Sequence, residues 1–202
     1  MGNGCNALQG ANFISVPEFN WRNPGYSQND RHPVVCVNVD DAFSYTSWLS
    51  RKTGKSCRIL SEAEREYVTR AGTITPFWWG SSISPVQANN NYSFTYGGNE
   101  KSTPLMRTVP VDAFGANAWG LFNVHGNVQE WTEDCWNGTL SGIPTDGSAR
   151  KIGYCDKHVV RGGSFIQPPN RVRSATRHTM TSDARVNYYG FRVARTLLSK
   201  PH

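Results

Sequence analysis

Two glycine- and arginine-containing motifs near the end of the chain, Arg161-Gly162-Gly163-Ser164-Phe165 and Gly190-Phe191-Arg192-Val193, decide the fold. Between them runs the stretch IQPPNRVRSATRHTMTSDARVNYY, which mixes polar, aromatic and apolar residues with no steady period. Rigid motifs on either side of an irregular insert are typical of a scaffold that presents a surface. The pattern therefore predicts a recognition surface between residues 164 and 190.

Three landmarks lie upstream: ILSEAEREY over residues 59–67, FWWG over 77–80 and NAWGLFNVHGNVQEW over 117–131. Taken in order with the two later motifs, they resemble the formylglycine-generating enzyme (sulfatase-modifying factor) domain family, from about Pro33 to Leu197. The resemblance implies an α+β, C-type lectin-like fold with two main helices, short strands and long loops. It implies the fold more strongly than an activity, because one fold hosts several functions.

The length of 202 residues predicts a single domain over 1–202. We expect residues 1–32 to form an irregular N-terminal segment and the chain to be a truncated or minimal member of the family. No stretch approaches the roughly 18 apolar residues of a membrane span. The start of the chain lacks the pattern of a signal peptide, and both a cytoplasmic and a surface-displayed location stay open.

Two helices are predicted before residue 73. The first covers 40–52, with Asp40 or Asp41 as its cap. The second begins at Ser61, which forms a capping box with Glu64, and stops at Gly72. Their expected buried sides are Phe43, Tyr45, Trp48 and Leu49 in the first helix, and Ala63, Tyr67 and Val68 in the second.

The resemblance raises a catalytic question at two positions. Formylglycine-generating enzymes oxidise a substrate cysteine with a copper-binding cysteine pair that follows the RGGSF motif. The matching positions here hold Gln167 and Val172, and neither side chain supplies a thiolate. We therefore expect no copper and no such oxidase activity. The five histidines show no i, i+3 or i, i+4 pair, so an iron site is not predicted either.

The resemblance also implies a structural calcium site in the third landmark. Its ligands would be the side chain of Asn123, the carbonyls of Gly126 and Val128, and the carboxylate of Glu130, all hard oxygen donors. The alternative is a turn held by asparagine and glutamate hydrogen bonds to the backbone. A second site would begin near Asn89 and Asn90, but its acidic ligand falls near Thr103, which is a poor match.

Five cysteines are present, so at least one stays outside any internal pairing. Cys135 and Cys155 bracket a long loop. A disulfide between them would stabilise the fold by about 3 kcal/mol on the chain-entropy estimate. The alternative, two reduced cysteines in a cytosolic protein, stays open.

The net charge is +6, and the basic residues are scattered. A nucleic-acid partner is not expected, because such proteins show a continuous basic patch, whereas an anionic ligand stays open. Four arginines match positions that the family fills with arginine, and we expect them to fix loops by hydrogen bonding. They are Arg161, Arg173, Arg177 and Arg192.

The leading function is non-catalytic binding of a protein, small-molecule or glycan ligand through the predicted recognition surface between residues 164 and 190. Some bacterial proteins with this fold bind ligands in this way and are diversified by retroelements. The alternatives are an oxidoreductase or other modifying enzyme of the family, and an accessory domain. The candidate ligand-binding residues are Phe165, Ile166, Gln167, Asn170, Arg171, Thr176, His178, Thr179, Met180, Thr181, Arg185, Val186, Tyr188 and Tyr189.

Overall fold

The computed structural model describes residues 4–10 and 12–197, so residues 1–3, 11 and 198–202 of the expected single domain lie outside the described residues. Long loops join its short strands and two α-helices. In chain order the elements are β1 (Cys5–Gln9), β2 (Asn12–Val16), α1 (Val39–Thr53), β3 (Cys57–Ile59), α2 (Glu62–Arg70), β4 (Gln129–Trp136), β5 (Tyr154–Arg161), a 3-10 turn (Pro169–Arg171), β6 (His178–Thr181), β7 (Tyr189–Phe191) and β8 (Val193–Arg195).

Helix α1 begins one residue earlier than predicted. Its cap is Asn38, whose side chain accepts from the Asp41 amide, while the Asp41 carboxylate accepts from the Asn38 amide at 3.1 Å. The prediction of Asp40 or Asp41 as the cap is therefore wrong, because Asp41 closes the capping box from the third helical position. The predicted buried side is also wrong: Val39, Ala42 and Thr46 are buried, whereas two predicted aromatics, Tyr45 and Trp48, are exposed.

Helix α2 confirms the predicted capping box of Ser61 and Glu64. Its C-cap is Ala71, one residue before the predicted stop. Its buried side is polar and consists of Glu62, Arg65 and Thr69, which corrects the predicted side of Ala63, Tyr67 and Val68. An ion-pair network, described below, holds this side against the sheet.

The main sheet has the strand order β6-β5-β4-β7. Strand β4 is antiparallel to β5 and parallel to β7, so the two motifs that bracket the insert lie on either side of β4. Glu130 pairs with Arg161 on one side and with Gly190 on the other. Trp131 follows Glu130 and is almost wholly buried in the main apolar core. The sheet therefore joins the opening and closing motifs through one strand.

The N-terminal segment is not the irregular stretch that the sequence predicts. Strands β1 and β2 form an antiparallel hairpin, and a disulfide joins Cys5 to Cys36. The Asn6 amide also donates to the carbonyl of Arg185 at 2.7 Å. Sequence pattern missed the hairpin because its second strand, β2, is mostly exposed and shows no alternation of apolar and polar residues.

A second disulfide joins Cys135, in β4, to Cys155, in β5. It closes the loop between these two strands, at the end of the central strand pair of the sheet. The remaining cysteine among the described residues, Cys57, is free and half-buried in β3.

Candidate functional site

The opening motif places a buried guanidinium beneath the insert. Arg161, the last residue of β5, donates to the carbonyls of Ser174 at 2.9 Å and Thr176 at 2.8 Å, and it pairs with Glu62 and Glu66. Gly163 has a φ of +72°, and a Cβ there would lie 2.4 Å from the Val172 side chain. The turn after β5 therefore requires glycine and carries the insert back across Arg161.

Two further arginines fix the insert at its middle and its end. Arg177 makes a two-point contact with Glu62, at 2.5 and 2.7 Å, and Arg192 makes one with Glu130, at 3.2 and 3.0 Å. Such paired contacts hold both position and orientation. The structural role predicted for these arginines agrees with this geometry.

Four predicted surface residues are instead part of the core, which corrects the prediction of one exposed face. Aromatic rings bury large apolar areas, and here they pack edge to face, with Tyr189 against Trp131 at 5.5 Å and Phe165 against Tyr188 at 6.2 Å. The four residues are Phe165, Val186, Tyr188 and Tyr189, each 7% exposed or less.

The remaining predicted ligand-binding residues do not form one continuous surface. Asn170 and Arg171 are exposed on the 3-10 turn, and Thr176 donates through its hydroxyl to the Asn170 carbonyl at 3.3 Å. Arg185 lies apart, paired with Asp41 of α1 at 2.8 Å. The other candidates are half-buried, apart from the exposed Thr181: Ile166, Gln167, His178, Thr179 and Met180.

The pairing of strand β6 explains why the predicted ligand-binding residues in this strand are only partly exposed to a ligand. His178 and Met180 pair with Val160 and His158 of β5, and Met180 packs against the main core. Burial lowers the pKa of His178, and the charges of Arg171 and Arg161 lower it further, so the imidazole is neutral at pH 7.

Gln167, where the family resemblance places the first cysteine of the pair, has several neutral polar residues in contact with it or next to its contacts. The Gln167 amide nitrogen donates to Gln129 Oε1 at 3.1 Å, and its backbone carbonyl accepts from Asn91 at 2.9 Å. Several buried atoms here have no hydrogen-bond partner among the described residues: both amide atoms of Asn90, Gln129 Nε2, Ser164 Oγ and Gln167 Oε1. We call Asn90, Gln129, Ser164 and Gln167 the amide cluster.

Sequence reasoning missed three members of the amide cluster. Asn90 was considered as a ligand only for the second calcium site, and Gln129 lies next to the predicted metal ligand Glu130. A signal was present, since β4 begins at Gln129 and a fully buried glutamine in a central strand needs polar partners. The partners come from distant segments, and only the fold shows them.

Val172, where the family resemblance places the second cysteine, is fully buried beside His125. The His125 Nδ1 lies 2.8 Å from the Val172 carbonyl, and Nε2 accepts from the Trp78 amide at 3.2 Å. Burial lowers the pKa of His125 to about 3, so the ring is a neutral structural group.

Three of the four residues predicted to bind calcium line one cavity of about 250 Å³: Asn123, Val128 and Glu130. Asn123 Oδ1 is buried and has no partner among the described residues, which suits a metal ligand. The charge of the cavity does not suit a metal ion, because the cationic side chains of Arg65 and Arg192 occupy both oxygens of Glu130. Burial raises the pKa of Glu130, but the charges of Arg192 and Arg65 outweigh this and lower it to about 2.

The predicted calcium ligands therefore offer space and oxygen donors, but a calcium ion would have to displace an arginine from Glu130. Calcium binding stays a prediction. Gly126, the fourth predicted ligand, donates its amide to the Gly162 carbonyl at 2.9 Å. At the second predicted site Asn89 and Asn90 are buried, whereas Thr103 is exposed.

The two helices, the small twisted sheets and the loop-rich remainder define an α+β domain of the C-type lectin-like class. Residues 5–197 match the family model described as the sulfatase-modifying factor enzyme 1-like domain, and the chain belongs to this family. The formylglycine-generating enzyme of Mus musculus is 32% identical over 196 residues, which cover 90% of this chain and 50% of that protein.

Another relative in Mus musculus is named inactive C-alpha-formylglycine-generating enzyme 2. It is 29% identical over 191 residues, which cover 89% of this chain and 56% of that protein. The chain thus spans about half the length of these relatives.

Two solved structures are similar. PvdO from Pseudomonas aeruginosa has a TM-score of 0.77 and 35% identity, over 96% of this chain and 72% of that chain. Treponema denticola variable protein 1 has a TM-score of 0.68 over 84% of this chain and 72% of that chain, and its 21% identity shows the fold alone. Among the described residues, no helix has the length and apolar character needed to cross a membrane.

Proposed function

We propose that this chain is a non-catalytic binding domain of the family, and that its ligand contacts Gln167, the half-buried member of the amide cluster, and the neighbouring exposed turn at Asn170 and Arg171. The observation that carries the proposal is the set of unpartnered polar atoms around Gln167. A buried donor or acceptor without a partner costs about 1–3 kcal/mol. A bound ligand or ordered water would remove that cost.

The chemistry of the amide cluster narrows the ligand. All four side chains are neutral, and each carries both a donor and an acceptor or a hydroxyl. They match a group that also donates and accepts without a charge, such as a peptide amide or a glycan hydroxyl. Gln167 and Val172 supply no thiolate for copper, and the family includes a relative named inactive, which supports binding rather than oxidation.

The test is selection from a random peptide library and a glycan array on immobilised protein. Ligands that are recovered should bind the Gln167→Ala and Asn170→Ala variants at least tenfold more weakly than wild type. Gln9→Ala is the matched control, because Gln9 is an exposed glutamine of the N-terminal hairpin. Equal affinity of the wild type and both site variants for every recovered ligand would refute this site.

Diversification by retroelements remains part of the proposal. It expects sister sequences from one genome to differ mainly at the exposed and half-buried positions between Ser164 and Gly190. Phe165, Val186, Tyr188 and Tyr189 should be spared, because they form the core. Substitutions spread evenly along sister chains would count against diversification.

A further inference from the structure

A cleft of about 700 Å³ lies away from the amide cluster, and none of the four cluster residues lines it. The N-terminal segment, the residues before α1, helix α1 and the last two strands all contribute to its walls. Its volume falls within the range of small-molecule sites, roughly 300–1,000 Å³.

Aromatic side chains form much of the cleft. Trp21 and Tyr45 are 53% and 44% exposed, although both are large rings that folding usually covers. Tyr45 packs edge to face on Phe191 at 5.5 Å, and Phe191 and Val193 both line the cleft. These rings are exposed around one shared space, which is suited to an apolar or aromatic body.

One charged pair accompanies these rings. Asp41 and Arg185 both line the cleft, and Asp41 lies one helical turn before Tyr45 on α1. Only the Arg185 Nη2 contacts Asp41, at 3.0 and 2.8 Å, while Nε and Nη1 make no hydrogen bond within the described residues. The Asp41 oxygens are already used, because Oδ2 also accepts from the Asn38 amide at 3.1 Å.

Of this charged pair, it is therefore Arg185 that has N–H donors available to a ligand. The free N–H groups on Nη1 match a carboxylate, whose oxygens accept charge-assisted hydrogen bonds. The net charge of +6 also favours the approach of an anion.

We propose that this cleft binds a small organic carboxylate with an aromatic or branched apolar body. The carboxylate contacts Arg185, and the body packs against Trp21, Tyr45 and Phe191. The proposal is independent of the function proposed for the amide cluster, since the two sites share no residue.

The experiment is calorimetric titration of the full chain with 3-phenylpropionate and with 3-phenylpropan-1-ol, which has the same body without the charge. The acid should bind, and the alcohol should bind at least tenfold more weakly. Arg185→Gln and Trp21→Ala should each weaken binding of the acid at least tenfold. Trp119→Ala is the matched control, because Trp119 is 43% exposed and lies outside the cleft.

Thermal melts of the variants establish that they are folded, and Gln167→Ala should leave the affinity for the acid unchanged. Equal binding of acid and alcohol would overturn carboxylate recognition. An equal loss in Trp119→Ala would show non-specific adsorption and overturn the site. No binding of the acid by folded wild type, or self-association that Trp21→Ala abolishes, would also overturn it.

Discussion

Glu130 and Arg192 connect the closing motif to the sheet, and both line the cavity predicted for calcium. Glu130 is buried between Arg65 and Arg192, and its low pKa keeps it charged at neutral pH. Removing one partner of a buried ion pair leaves an uncompensated charge, which is strongly destabilising. Calcium bound in this cavity would therefore compete with Arg192 for the same carboxylate.

Changing Arg192 to glutamine should make the protein respond to calcium more strongly than wild type does. The substitution frees Glu130 Oε1 and removes one positive charge from the cavity. At calcium about 100-fold above the Kd, linkage contributes about 2.7 kcal/mol, or a rise in Tm of at least about 5 °C for a chain of this size. Thermal melts with calcium and with chelator measure it.

The control for this response is the Arg192→Gln variant that also carries Glu130→Gln, which should show no rise. If none of the three proteins responds to calcium, the calcium prediction is wrong.

Phe165 tests the corrected view of the insert. Because its ring is buried against Tyr26 and Tyr188, Phe165→Ala should lower the free energy of unfolding by about 3–5 kcal/mol. Phe94→Ala, at a phenylalanine that is 53% exposed, should cost well under half as much. Denaturant unfolding of both variants decides it, and similar losses would mean that Phe165 is not a core residue.

At the level of single residues, some structural roles could be predicted from the sequence and others could not. The motif positions, the glycine turn after β5 and the loop-fixing arginines follow from local pattern and from the family resemblance. The unpartnered atoms of Asn90 and Gln129 do not, because hydrogen bonding of a buried amide depends on segments that only the fold brings together.

At the scale of elements, the disulfide between Cys135 and Cys155 fastens the loop that joins β4 to β5. The double variant Cys135→Ser, Cys155→Ser should lose about 2–4 kcal/mol of unfolding free energy, because its unfolded chain is freer. Denaturant unfolding under oxidising conditions measures this, with Cys57→Ser as the control.

Peptide mapping of the unreduced protein gives a second readout. Alkylation of both thiols in folded, oxidised wild type would show that this pair does not form.

The positions of the helices could be predicted from the sequence, but their buried faces could not. Capping residues and stop signals are local, so α2 was located to within one or two residues. The buried side of α2 is Glu62, Arg65 and Thr69, and an apolar periodicity search selects the wrong face when buried residues are charged and paired. The N-terminal hairpin was missed for a related reason, since a disulfide and the backbone hydrogen bonds of Asn6 with Arg185 and Asn187 hold it in place.

At the scale of the whole molecule, ion-paired arginines fix the insert that carries Gln167 and Val172, where the family resemblance places the cysteine pair. Gln167 donates a hydrogen bond to Gln129, and Val172 is buried. Disulfides join Cys5 to Cys36 and Cys135 to Cys155, and neither Gln167 nor Val172 lines the cleft at Trp21. We therefore propose that the domain is a binding scaffold.

The central claim is tested most directly by incubating the pure protein with copper(I), oxygen and a sulfatase-type peptide that carries the target cysteine. Mass spectrometry follows the peptide, and an active formylglycine-generating enzyme assayed in parallel shows that the conditions support turnover. The account predicts no conversion of cysteine to formylglycine above the protein-free control. Conversion above that control would contradict it and would establish an enzyme that works without a cysteine pair at positions 167 and 172.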